Sequence, residues 1–360
     1  MVEWLAGNRI RGTSTERASA DFNNHLTGVG AVGGWKEVGR TTLGSAGDTI
    51  QVSSLPDKRY YMLLCDDRNS GSINVGHRAG EGTLDTGSNY SKRASIDGAT
   101  DLQHVNQNNF LEDALNHSNN MFMVNYISSV AGKEKLGIGS CIRQNSAGAG
   151  NAPARTEYVG KWANTANVID TLATVNFGTG DLAIGSELVV LGWDEDDTHT
   201  DNFWEELASV ELTGTADTIS SGTITAKKYL WVQFYQKSSG ACNIQMTFNN
   251  DTGSNYARRG SNDGGSDFTS TSASILQFQT GDTDSAHFFN MFIVNNSANE
   301  KLGISHGVTQ NTAGAGTATE RKEQVHKWAN TSAQITEIDI DNTDSGSYAS
   351  GTIMKVWGSD

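Results

Sequence analysis

Four tryptophans form two equivalent pairs, and they are the side chains best suited to hold a ligand. Trp204 follows Trp35 by 169 residues, and Trp328 follows Trp162 by 166 residues. Exposed indole rings near Asn and Asp could stack on sugars, as in carbohydrate-binding sandwiches. A repeated tryptophan is more typical of packing, because an indole ring buries a large apolar area. We therefore expect these four residues to pack inside the protein, with ligand binding as the alternative.

An acidic segment near the C-terminus is the best candidate for a metal site. Residues 339–346 have the sequence Asp-Ile-Asp-Asn-Thr-Asp-Ser-Gly, and calcium prefers several oxygen ligands of this kind. The segment departs from the helix–loop–helix calcium pattern at the glycine position and lacks the distal glutamate. Turn formation explains the same residue types. We predict no metal ligand and no cofactor, and calcium stays as the alternative.

Other residues that could do chemistry have simpler structural explanations. Of the eight histidines, His117 and His287 match between the two halves, each before a Met-Phe strand, and neither has a second repeated histidine nearby. An Arg-x-x-x-Asp pattern also occurs twice and predicts an ion pair that pins a loop. Its members are Arg93 with Asp97, and Arg259 with Asp263.

The sequence contains none of the familiar catalytic motifs. It has no nucleophile elbow, phosphate loop, zinc-protease helix or Cys-x-x-Cys pair. The glycine-rich segments 147–150 and 313–316 lack the following Lys-Ser/Thr of a nucleotide-binding loop. We therefore predict a protein that is not an enzyme, with no catalytic and no cofactor-binding residues.

The chain is an internal duplication. The segment TGSNY at 86–90 returns at 252–256, EKLGI at 134–138 returns at 300–304, and KWANT at 161–165 returns at 327–331. Asn120-Met121-Phe122 also matches Asn290-Met291-Phe292, at an offset of 170. We predict an N-terminal arm over 1–34, a first repeat over 35–194, an acidic linker over 195–203 and a second repeat over 204–360.

Composition and pattern both favour an all-β fold. Forty glycines and two prolines suit short strands joined by tight turns. Runs such as 60–65, 229–234 and 243–248 are rich in aromatic and branched residues or alternate polar with apolar. About eight strands per repeat predict two tandem β-sandwiches of jelly-roll type, and each repeat should bury its own core. The one helix candidate is a turn or two at 110–115.

Charge and cysteine content limit the possible partners of the protein and the compartment in which it is assembled. A net charge of −15 disfavours nucleic acid as a partner, since phosphates would be repelled. No apolar run reaches the length of a membrane span, and the N-terminus does not resemble a signal peptide. Cys65, Cys141 and Cys242 do not recur between repeats, which predicts buried free thiols and assembly in a reducing cytoplasm.

The leader 8–17 (NRIRGTSTER), the segment 34–43 (GWKEVGRTTL) and the EKLGI, AGAG and KWANT series resemble virion proteins of tailed phages and related marine viruses. Such proteins serve as capsid decoration, head fibre, tail or spike components. The resemblance implies a structural role on the virion surface and no catalytic residues. We therefore expect a virion protein, made in the host cytoplasm, that binds other virion proteins and forms a homo-oligomer.

Three alternatives stay open. Each repeat could be an adhesion module that binds a host glycan. Both repeats could stand side by side as a double-sandwich major capsid protein. A polysaccharide hydrolase is the enzymatic alternative, and it would need two carboxylates facing each other across a groove.

Overall fold

The computed structural model describes residues 34–69, 71–111, 116–194, 197, 201–283 and 286–360. The predicted N-terminal arm lies outside the described residues except for Gly34. Most of the helix candidate at 110–115 also lies outside them. Of the predicted acidic linker, only residues 197 and 201–203 are described, and Asp197 forms an ion pair with Lys58.

The first domain consists of twelve strands in the described part of the chain. They are β1 Lys36–Thr42, β2 Thr49–Val52, β3 Tyr60–Asp67, β4 Val75–Glu81, β5 Thr83–Leu84, β6 Tyr90–Ile96, β7 Leu102–Gln107, β8 Met121–Ser128, β9 Lys135–Arg143, β10 Ala154–Trp162, β11 Thr171–Asn176 and β12 Glu187–Trp193.

The second domain repeats this arrangement with twelve more described strands. They are β13 Glu205–Glu211, β14 Thr218–Ser220, β15 Tyr229–Gln236, β16 Ala241–Phe248, β17 Tyr256–Asn262, β18 Phe268–Ala273, β19 Leu276–Thr283, β20 His287–Val294, β21 Lys301–Thr309, β22 Glu320–Trp328, β23 Ile338–Asp341 and β24 Ile353–Ser359.

Each domain is an antiparallel sandwich of a large and a small sheet. The large sheet of the first domain has the order β1-β12-β3-β8-β9-β10-β6-β7, and its small sheet has the order β2-β11-β4-β5. The second domain has the equivalent orders β13-β24-β15-β20-β21-β22-β17-β18 and β14-β23-β16-β19. The fold is therefore all-β, with two tandem homologous sandwiches as predicted.

The strand count exceeds the predicted eight because polar edge strands carry no apolar alternation. Strand β7 has the sequence Leu-Gln-His-Val-Asn-Gln and is mostly exposed, so its pattern resembles a loop. Strand β23 covers only the end of the predicted run 334–340.

Strand pairing corrects one part of the repeat alignment. Tyr60 pairs with Ser128 in the first domain, and its counterpart Tyr229 pairs with Val294 in the second. The Met-Phe strands therefore match at an offset of 166, as do the later motifs, and not at 170. His287 is the counterpart of Met121, so the predicted match of His117 with His287 is wrong. A shift of four residues is even, so it still matches inward-facing positions with inward-facing positions. The hydrophobic pattern therefore does not distinguish the offset of 170 from that of 166.

Each sandwich buries a core between its two sheets, as expected. Cys65 and Cys141 lie in the first core and Cys242 in the second, and all three are buried free thiols, as predicted.

A third apolar cluster lies between the domains. Leu63 faces the first core, whereas its neighbour Leu64 faces outward into this third cluster, following the alternation of a strand. The cluster joins outward residues of the first large sheet to Tyr229, Phe292, Leu302 and others of the second. The two large sheets are therefore packed face to face, and the chain forms four layers of sheet.

Candidate functional site

The four repeated tryptophans occupy two kinds of position. Trp162 and Trp328 are each 1% exposed and belong to the cores of their own domains. Trp204 is also 1% exposed and lies in the cluster between the domains, while Trp35 is partly buried against the same cluster. Three of the four indole rings are therefore inaccessible to a ligand. The alternative that the repeated tryptophans bind a ligand is wrong for Trp162, Trp204 and Trp328.

A hydrogen bond explains why the TGSNY and KWANT motifs recur together. The indole Nε1 of Trp162 donates to Asp85 at 2.8 Å, and Trp328 donates to Asp251 at 2.7 Å. The same Asp85 carboxylate accepts hydrogen bonds from Gly87 and Asn89 of the TGSNY turn. Despite burial, these bonds and the indole donor lower the pKa of Asp85. The motif residues therefore fasten a turn to the core.

The EKLGI motif meets KWANT in the same way. The ammonium of Lys135 donates to the Asn164 carbonyl at 3.0 Å and lies 5.6 Å from the Trp162 ring centre. Lys301 donates to Asn330 at 2.8 Å in the second domain. Burial lowers the pKa of Lys301 to about 8. Both repeated motifs therefore have structural roles.

The predicted Arg-Asp pairs do not form within either repeat. Asp97 has a φ of 49° and Asp263 a φ of 54°, and each is followed by a glycine with positive φ, as a type I′ turn requires. Both side chains accept a backbone hydrogen bond at 2.8 Å, Asp97 from Arg155 and Asp263 from Arg321. Spacing along a strand could not reveal that the nearest ionic partner of Arg259 is Asp97 in the other domain, at 3.3 Å.

The acidic segment 339–346 begins in strand β23 and continues after Asp341 as a hydrogen-bonded loop. Asn342 accepts the backbone N–H of Asn243 at 2.9 Å, and its amide donates to the Asp344 and Gly346 carbonyls. Asp341 accepts the Thr218 hydroxyl at 2.6 Å. Within the described ranges, no group of three or more His, Cys, Asp or Glu is arranged to hold a metal.

The two histidines singled out from the sequence are structural. His287 is 4% exposed, and its Nδ1 lies 2.7 Å from the Thr309 hydroxyl. Burial and the charge of Lys322 lower the pKa of His287 to about 3, so it is neutral at physiological pH. His117 lies at a bridge with Ile73, where its Nδ1 is 3.0 Å from the Asn119 carbonyl.

A groove of about 440 Å³ opens where the two large sheets meet. Its first-domain wall includes Tyr126 and Tyr158, and its second-domain wall includes Asn290 and His306. The groove is the best candidate for a ligand site in the described part of the chain, because it combines aromatic and polar groups in a concave surface.

Two equivalent carboxylates line this groove. Glu157 and Glu323 occupy the same position in the two repeats, and both contact Nη1 of Arg155, with Glu323 at 3.6 Å. Burial and the nearby charge of Glu157 raise the pKa of Glu323. A carboxyl group with a raised pKa beside a second carboxylate can serve as a general acid in a hydrolase. Here a buried guanidinium contacts both of them, so their first role is to bind the two domains together.

Further buried polar groups hold the domains in place. Glu187 of the first domain accepts hydrogen bonds from Lys228 at 3.0 Å and from the Tyr229 hydroxyl at 2.9 Å. Arg155 donates to Asp267 of the second domain at 2.7 Å. Despite the cost of burial, Asp267 and Glu157 raise the pKa of Arg155.

Sequence reasoning missed these interdomain residues, although a signal existed. Glu157 and Glu323 have matched positions, 166 residues apart, between the AGAG and KWANT motifs. The contacts themselves join non-equivalent surfaces, and such contacts leave no matched pattern in a sequence.

No protein-family model and no curated protein matches this chain. Among solved structures, domains LG4-5 of the mouse laminin α1 chain align with 91% of this chain and 90% of that chain, at 10% identity and a TM-score of 0.19. A score this low carries no argument about function. The part of the chain that the structure describes includes no helix long and apolar enough to cross a membrane.

Proposed function

We propose that this chain is a non-enzymatic structural protein of a virus particle, displayed on the capsid or tail surface. The supporting observation is the continuous apolar cluster that joins the two large sheets face to face. It makes the chain one four-layered building block. The buried charged groups Arg155, Glu187 and Asp267 serve that packing.

The proposed role also specifies where the protein is made and which molecules it contacts. The protein is made in the host cytoplasm, is carried in the virion, and contacts other virion proteins and copies of itself. It binds no nucleic acid, since the net charge of −15 would repel phosphates.

The test is the protein composition of purified particles. Mass spectrometry of gradient-purified virions should detect the chain, and quantitative labelling should give its copy number. A copy number close to that of the shell protein would instead support the major capsid alternative. Absence of the chain from infectious particles would refute the virion role.

The groove between the domains supports a second candidate, binding of a host glycan. Arg93 and Asp101 line the groove with side chains close to half exposed, and His306 lies on the opposite wall. A glycan array with the whole chain should then give hits that Arg93→Ala and His306→Ala remove, while Lys133→Ala in an exposed turn leaves them unchanged. An array without hits would reject glycan binding.

Hydrolysis is tested at the same groove. If Glu157 and Glu323 were catalytic, Glu157→Gln and Glu323→Gln would each abolish release of sugar from a host polysaccharide. We expect no release by the wild-type protein, because Arg155 contacts both carboxylates.

A further inference from the structure

The two domains contact each other through surfaces that share only a few central positions, such as Tyr126 and its counterpart Phe292. The first domain uses a head surface that includes Phe122 and Ile142, both fully buried, together with Arg155 and the loop 144–150. The second domain uses a tail surface, whose members are Leu302, Ile304, Val325, Lys327, Glu300 and Asp267. An isologous contact would bury the same positions on both sides, so this contact is heterologous, or head to tail.

The counterparts of the buried apolar residues face solvent. Phe122 pairs with Ile142 across the strands as Phe288 pairs with Val308, yet Phe288 and Val308 are each 40% exposed. The head surface of the second domain is therefore uncovered in the single chain.

The tail surface of the first domain is uncovered as well. Leu136, Ile138 and Val159 are 57%, 58% and 47% exposed, whereas their counterparts Leu302, Ile304 and Val325 are 2%, 4% and 1% exposed. A concave site of about 450 Å³ lies over these three residues. Large exposed apolar patches of this kind mark interaction sites. These three residues and the two of the open head surface make up five of the nine exposed large apolar residues of the described chain.

A loop and its docking site are also duplicated. The Lys327 ammonium donates to the Gln144 and Ser146 carbonyls of the first-domain loop at 3.2 and 2.7 Å, and Glu300 accepts the Gly148 N–H. The matching loop 310–316 has nearly the same sequence and is exposed at every position, whereas Ala149 of the first loop is buried.

The docking site for that second loop is present on the first domain. Lys161 and Glu134 are the counterparts of Lys327 and Glu300, and they form an exposed ion pair at 2.8 Å, with side chains 42% and 39% exposed. The AGAG loop and the Lys-Glu pair therefore each occur once in a buried contact and once on the surface.

An ionic contact follows the same rule. Arg155 and Asp267 are buried partners, with side chains 6% and 4% exposed. Their counterparts, Arg321 on the open head surface and Asp101 on the open tail surface, have side chains 61% and 46% exposed. The two open surfaces are thus complementary in charge as well as apolar.

The open head surface is more polar than the buried one. Lys355 stands at the position of Val189, and Gln233 stands at the position of Leu64. The contact between chains should therefore be weaker than the contact within a chain, and it should depend on concentration.

We propose that a second copy of this chain docks its first-domain tail surface onto the open head surface of the second domain. The new contact repeats the part of the intrachain contact whose counterparts are exposed, and it brings Arg321 against Asp101 of the next copy. Because the contact is heterologous, copies add in one direction and form a closed ring or an open filament. This rests on the proposed structural function and specifies the geometry of its self-assembly.

The test uses the purified full chain in sedimentation velocity over a range of concentrations. Wild type should form oligomers, while Ile138→Asp and Val308→Asp should each weaken association by about 100-fold, since a buried charge would stand in an apolar contact. Ile184→Asp, at an isoleucine that is 64% exposed outside both surfaces, should leave association unchanged. Circular dichroism should show all three variants folded.

Mixing distinguishes this contact from a symmetric one. Ile138→Asp keeps an intact head surface and Val308→Asp keeps an intact tail surface. An equimolar mixture should therefore form dimers that contain one chain of each variant. Arg321→Asp and Asp101→Arg should each weaken association, and the double variant should restore it.

Wild type that stays monomeric at all concentrations, or a mixture that gives no dimer, would overturn the proposal. Neither result bears on whether virions contain the chain, which the mass spectrometry of particles decides separately.

Discussion

Lys327 and Lys161 occupy the same position in two copies of one domain, yet one is buried and the other is exposed. The Lys327 side chain is 0% exposed beneath a loop of the first domain, whereas that of Lys161 is 42% exposed. Burial lowers the pKa of Lys327 and Glu300 opposes this shift, while two backbone carbonyls accept hydrogen bonds from the ammonium. The difference arises from the residues that surround each lysine in the fold, since both lysines belong to the same Lys-Trp sequence motif.

This pair gives the first prediction. Lys327→Ala should lower the free energy of unfolding by about 3–5 kcal/mol, because it leaves Glu300 buried without its ionic partner. Lys161→Ala removes an exposed ion pair and should cost less than about 1 kcal/mol. Urea denaturation at a concentration where the chain is monomeric measures both. Equal losses would contradict the buried role of Lys327.

The repeated tryptophans give the second prediction. Trp204→Ala should destabilise the protein by about 3–5 kcal/mol, since it removes a fully buried ring from the interdomain cluster. Trp35→Ala, at the partly buried counterpart, should cost about 1–3 kcal/mol. Thermal unfolding followed by circular dichroism compares the two. A larger loss for Trp35→Ala would show that the cluster is centred elsewhere.

The hydrogen bond between Asp85 and Trp162 gives the third. Asp85→Ala and Trp162→Phe should each destabilise the protein, and the double variant should cost less than their sum by about 1.5–3 kcal/mol, the range for a bond to a charged group. Denaturant unfolding of all four proteins measures this coupling. Additive losses would mean that the indole and the carboxylate act independently.

Buried histidines give the fourth. Burial lowers the pKa of His77 to about 4 and that of His326 to about 3, from an ordinary value of 6.5. The unfolded chain therefore binds protons below pH 6.5 that the folded chain does not bind. The contribution of these two histidines to stability should be complete above pH 6.5 and should be lost as the pH drops toward 4, by up to about 1.4 kcal/mol per pH unit for each histidine.

The measurement is guanidinium denaturation between pH 8.5 and 5. Below pH 6.5, His77→Gln should reduce the slope of the free energy of unfolding against pH by the contribution of one histidine, whatever its effect on absolute stability. Between pH 7.5 and 8.5 the variant and the wild type should show the same pH dependence. An unchanged slope at low pH would mean that the His77 ring gains a proton in the folded state.

Local pattern predicted much of the fold. Strands such as Asn243–Phe248 carry their own alternation, and the repeated motifs established two equivalent domains with separate cores. The duplication also predicted that Trp162 and Trp328 would pack alike. These features depend on neighbours along the chain or across one strand, which a single sequence contains.

The contact between the domains could not be predicted in this way. Ile138 and Ile304 stand in identical EKLGI motifs, yet one is 58% exposed and the other 4% exposed. Arg259 follows the same spacing as Arg93, but its nearest carboxylate belongs to the other domain. Such differences depend on how two folded bodies meet, and a local pattern contains no information about that.

The direct succession of the two domains has a further consequence. One of every two successive domain contacts in an array of these chains would form during folding, at a strength that dilution cannot reduce. Growth of the array would then depend only on the weaker contact between Phe288 and Val308 of one chain and the Leu136 region of the next. When an array dissociates, the two domains of each chain would stay in contact. The array would therefore lose or regain domains in pairs.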